Sequence, residues 1–135
     1  MSSASAAIDL PLSADGSFRY GYRQSIYGVP VEERERAEGA TVVVLSARSK
    51  DRRSLEYYRW GDDTIAVDTG GFVQQAPGVA LPAPLQISVT EDGAQWIEGD
   101  DVRVDLLRRF GANIVSVSPR AEPRISWLFA HLTAR

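Results

Sequence analysis

Two Gly-Asp-Asp triplets invite a chemical reading: Gly61-Asp62-Asp63 within RWGDDTIAVD, and Gly99-Asp100-Asp101 within EGDDVRVD. Carboxylate pairs on tight hairpins can hold two divalent ions about 4 Å apart for phosphoryl chemistry, provided that different strands contribute them. These four aspartates would meet only if both hairpins lay at one end of the fold, and no phosphate-binding loop accompanies them. Gly and Asp also tolerate turn dihedrals, and Asp caps neighbouring amides. The expectation is two turns and no metal site.

A second constellation comes just before the first triplet. Arg48, Lys50, Arg52, Arg53 and Arg59 are interleaved with Tyr57, Tyr58 and Trp60. Cations that track phosphates beside rings that stack on bases are what a single-stranded nucleic-acid platform needs. The competing reading makes RSKDRR the solvated tip of a long hairpin, followed by a strand SLEYYRW with Tyr57 on one face and Tyr58 and Trp60 on the other. Nucleic acid is therefore a partner to test and not the favoured one.

The third feature is an absence of charge across Ile125–Ala134, ISWLFAHLTA. On a helix, Ile125, Leu128, Phe129 and Leu132 form one stripe, and Trp127, Ala130 and Ala134 fall opposite. A helix apolar on both sides needs a partner, so Trp127, Ala130 and Ala134 are interface candidates for a homo-oligomer or another protein. A strand with Ile125, Trp127, Phe129 and His131 on one face is the alternative. His131 is the single histidine and lacks any nucleophile framing.

Composition narrows the classes. The chain has 135 residues, 44% hydrophobic and 24% charged, as expected of one globular domain over 8–135 behind a disordered tail at 1–7. A net charge of −3 argues against binding nucleic acid through a global field. No cysteine is present, which removes disulfides, thiolate catalysis and cysteine-held metals. The cations are almost all Arg, which fits a GC-rich bacterial coding bias and means that any anion site would be built from guanidinium forks. No secretion signal opens the chain, no apolar run approaches the about 20 residues of a membrane span, and no cofactor fingerprint appears. A cytoplasmic protein without cofactor or membrane contact is expected.

The elements that would position these groups read as mainly β. SFRYGYR alternates Phe18, Tyr20 and Tyr22 with Arg19 and Arg23, the period of a half-buried strand. PVEERERAEG carries helix grammar, with Pro30 near its start, Glu32 and Glu33 in a first turn and Gly39 as the stop, and is expected as a short acidic helix. TVVVLSAR reads as a central strand covered on two faces. TIAVDT, GFVQQ, LQISVT, AQWIEG and IVSVS read as further short strands between turns. QAPGVALPAPL, with three prolines, reads as the one long loop. DDVRVDLLRRFG reads as a strand that ends in a helical turn, and PRISWLFAHLTAR as a C-terminal helix.

The predicted architecture is an antiparallel meander closing as a small barrel or sandwich, with a C-terminal helix and one short acidic helix. With no convincing catalytic set, the expected function is a non-enzymatic interaction or accessory protein in an oligomer or larger assembly. The alternative is a metal-independent β-barrel that binds a small apolar ligand, or an isomerase or cyclase, with Tyr20, Tyr22, Tyr57, Tyr58 and Trp60 lining its pocket. A second alternative is a nucleic-acid module built on the Arg48–Arg59 strip.

Overall fold

A computed structural model describes residues 8–61, 64–120 and 127–130. Antiparallel strands dominate. The larger sheet has seven: β2 (Ser17–Gln24), β3 (Val29–Glu38), β4 (Thr41–Ser49), β5 (Ile65–Asp68), β6 (Gly71–Pro82), β8 (Trp96–Glu98) and β9 (Arg103–Asp105). Their order is β5-β6-β4-β3-β2-β8-β9. The smaller sheet orders β1 (Ile8–Pro11), β11 (Trp127–Ala130), β10 (Ile114–Arg120) and β7 (Leu85–Ser88) as β1-β11-β10-β7. Two open sheets stand where a closed barrel was one expectation.

The sheets share a core. Phe18, Val42 and Ile97 from the larger sheet pack with Leu10, Val115 and Val117 from the smaller, and Leu106 and Phe110 of a one-turn helix, α2 (Leu106–Phe110), complete the cluster. Each such side chain contributes about 1.5–3 kcal/mol by leaving water. No helix among the described residues is long and apolar enough to cross a membrane.

The alternation read in SFRYGYR is realised in β2, and DDVRVDLLRRFG does form a strand followed by a helical turn. Asp105 caps α2 by accepting from the Arg108 amide, and Gly111 closes it at φ 73°. The second Gly-Asp-Asp is a turn, as expected. The Gly99 amide donates to the Val102 carbonyl, Asp101 adopts φ 59°, and a Cβ on Gly99 would sit 1.9 Å from the Pro11 carbonyl oxygen. Glycine is required there because β1 ends against it. Asp62 and Asp63 lie outside the described residues.

Four expectations are corrected. PVEERERAEG is strand β3 and not an acidic helix. Pairing with β2 and β4 on both edges outweighs the helix preference of Glu and Arg, and Gly39, at φ 59°, turns the β3–β4 hairpin instead of ending a helix. SLEYYRW is not a strand: Asp51 caps a one-turn helix, α1 (Arg52–Glu56), which buries Ser54 and Leu55. The Pro-rich segment is the second half of β6 and the start of β7. Pro77 falls where the β4–β6 register shifts beside Gly78 at φ 75°, so the ladder never asks for its missing N–H. Residues 127–130 are a strand and not a helix. β11 is hydrogen-bonded to β1 on one edge and β10 on the other, which gives this part of the uncharged run an intramolecular role. The remainder of that helix, with Ile125, His131 and Ala134, lies outside the described residues.

The central position of β4 between β3 and β6 agrees with its composition. Its second face lines an open trough on the outside of the sheet and is not covered by another layer among the described residues.

Candidate functional site

Alternation along β3 decides which of its charges meet water. Glu33 and Glu35 sit two residues apart on the face turned toward the smaller sheet, opposite Tyr20 and Phe18 of β2 in the ladder. With Ile97 of β8 and Leu81 of β6 they form one wall of a cleft of about 270 Å³. The other wall is the smaller sheet, through Leu85 and Ile87 of β7 and Val117 of β10. The cleft is thus apolar on one side and carries two carboxyls and a phenol on the other.

Glu35 is only 4% exposed. Burial raises its pKa well above the ordinary 4.5, and the hydrogen bond and negative charge of Glu33 raise it further. The protonated form of Glu35 is thereby favoured, and it is this form that can donate to Glu33. Glu33 is held from behind: the Tyr58 hydroxyl donates to its Oε2 at 2.5 Å, and the Tyr22 hydroxyl lies 2.6 Å from that of Tyr58. A phenol has one proton, so Tyr58 gives its own to Glu33 and accepts from Tyr22. The chain of donors runs Tyr22 to Tyr58 to Glu33, and Glu35 donates from the other side. Desolvation pushes all three tyrosines upward, seconded at Tyr58 by the charge of Glu33, so each hydroxyl remains a donor. Rings brace the chain: Tyr20 stacks on Tyr22 at 5.5 Å and Tyr58 packs on Trp60 at 4.5 Å.

No Arg or Lys is among the described residues that line the cleft. Arg19, Arg34, Arg36 and Arg48 of β2–β4 line the outer trough instead, where they meet acids. Arg19 pairs with Glu32 and Glu98, Arg34 with Asp15, Arg36 with Glu38, and Arg48 with Asp68. On the same face Trp96 lies against Gly21, where a Cβ would come within 2.0 Å of the ring, and Arg103 stacks on Trp96 at 3.8 Å.

The expected pocket tyrosines divide. Tyr20 lines the cleft, Tyr22, Tyr58 and Trp60 support it, and Tyr57 is 61% exposed and takes no part. The Arg48–Arg59 strip is not one surface. Arg48 lies on the outer face with Asp68, Arg52 pairs with Glu56 along α1, and Arg53 is held by Asp51 above the Tyr27 ring. Lys50 and Arg59 are exposed, Arg59 at φ 59° after the helix. Trp127 and Ala130 belong to β11. Glu33 and Glu35 were not singled out in the sequence because they were counted as helix acids. The signal that finds them is the period-2 series Val29, Val31, Glu33, Glu35, Ala37.

Comparison of the chain with protein-family models, curated proteins and solved structures found no match.

Proposed function

We propose that this is a non-enzymatic binding protein that takes a compact, mainly apolar molecule into the inter-sheet cleft, with the polar end of that molecule against Glu33, Glu35 and Tyr20. The observation that carries the reading is a carboxyl group, 4% exposed, lining a cavity whose opposite wall is aliphatic. Burying such a group is costly unless something compensates it, so its position beside open space is best explained by a ligand. The cleft is slightly smaller than the about 300–1,000 Å³ of drug-sized sites, which restricts the ligand to one or two rings or a short chain.

Saturation-transfer NMR with one- and two-ring alcohols, amides, amines and carboxylates tests the reading. Binders are expected, and Ile87→Trp, which fills the cleft from β7, is expected to remove them. The absence of binders, or binding indifferent to Ile87→Trp, contradicts it.

A second reading, an accessory protein in an assembly, draws on β5. This strand is a sheet edge, and its Val67 is 83% exposed, which leaves a free ladder edge beside an apolar side chain. If β5 mediates association, light scattering shows an oligomer that Val67→Lys dissociates. A monomer at all concentrations removes this reading.

A further inference from the structure

We infer that the cleft selects a protonated amine: an organic ammonium whose N–H donors meet Glu33 and Glu35 and whose apolar body lies on Ile87, Ile97 and Val117. The inference rests on the cleft being a ligand site and adds the chemical class of the ligand.

Charge comes first. Two carboxyls line the cleft side by side, so a carboxylate there is desolvated, and no Arg or Lys is among the described residues of the lining to balance it. The Tyr58 hydroxyl stabilises Glu33 as a donor but brings no positive charge. An anionic ligand would meet repulsion, and a neutral one would leave the charge uncompensated in a desolvated place. Donor count agrees. An ammonium carries three N–H donors, and the ionised pair is acceptor-only. A bare metal ion fits less well, since two carboxylates fall short of the six to eight oxygens of a calcium site and the rest of the lining is largely aliphatic.

Binding has a proton balance. The ammonium keeps its own proton, and its positive charge beside the carboxyls favours ionised Glu35, whose proton goes to solvent. Among the described residues, Glu33 on β3 and Tyr20 on β2 present titratable groups to Glu35. Among the described lining residues, β6, β7, β8 and β10 present none. At a pH where Glu35 is protonated in the free protein and ionised in the complex, one proton is released per amine bound, and affinity rises about tenfold per pH unit across that window.

Calorimetry on the full chain with phenethylammonium and cyclohexylmethylammonium, each beside its matched alcohol and carboxylate, tests this in two buffers of different ionisation enthalpy. The expected result is binding of the ammonium compounds at least tenfold tighter than the alcohols, with release of one proton. Glu35→Gln, which keeps the shape of the protonated carboxyl, should abolish proton release and flatten the pH dependence. Alcohols or carboxylates that bind as tightly as the amines, or amine binding without proton release, overturn the ammonium assignment while leaving the cleft as a site. No binding by any of the compounds overturns both.

Discussion

The two faces of the β2–β3 pair are built from alternate residues of the same strands, and they treat carboxylates in opposite ways. On the outer face Glu32 and Glu98 are exposed enough to be solvated, and both pair with Arg19. On the inner face Glu33 and Glu35 are one and three residues further along from Glu32, yet they have phenols and aliphatic groups for neighbours and no cation. Both faces carry glutamates, but only the outer one sets arginines beside them. Desolvation separates a solvated charge lattice from a pair of carboxyls with chemistry to offer.

Substitutions on the two faces should therefore diverge. Phe18→Ala removes a core ring that also lines the cleft, and is expected to cost about 3–5 kcal/mol in denaturant unfolding. Its neighbour Arg19→Ala should cost less than about 1 kcal/mol, because exposed ion pairs contribute little. Similar losses at the two positions would remove the distinction. Between these lies Tyr58→Phe, which deletes the donor to Glu33 and strands the Tyr22 hydroxyl. A loss of about 1.5–3 kcal/mol is expected, the range for hydrogen bonds to charged groups.

The pH dependence of stability should carry opposite signs on the two faces. Glu35 has a folded pKa above its unfolded value, so the folded state binds the extra proton. Stability from this group is greatest below about pH 4.5 and falls as pH rises toward the folded pKa, by about 1.4 kcal/mol per pH unit within that window. Glu98 is the reverse: hydrogen bonds from Arg103 and then Arg19 lower its pKa, so its contribution is present above 4.5 and lost as pH falls through the folded value. Thermal unfolding from pH 3 to 9 measures both. Glu35→Gln should flatten the upper limb and leave the acid limb, and Glu98→Gln should make the smaller change, confined to the acid limb.

Much of the β framework was legible because period-2 patterns report burial directly, as in Phe18, Tyr20 and Tyr22 of β2. The failures share a cause. PVEERERAE has strong local helix preference, and only its place between β2 and β4 makes it a strand. That misreading hid Glu33 and Glu35, since acids on a surface helix carry no expectation of burial. Pro77 and Pro82 looked incompatible with a strand because the register shift that accommodates Pro77 belongs to the pairing with β4, not to the local sequence. RSKDRR looked like a hairpin tip and SLEYYRW like the strand after it, because an Asp cap and an i,i+4 pair make only one helical turn. The tyrosines were legible as polar handles, but what they hold was not.

Carboxyl ¹³C NMR titration of glutamate-labelled protein, assigned with Glu33→Gln and Glu35→Gln, addresses the cleft most directly. Glu35 is predicted to titrate well above 4.5 in the free protein and to be ionised at the same pH when phenethylammonium is saturating. A Glu35 carboxyl that titrates at or below 4.5, or one unmoved by the bound amine, would contradict the account.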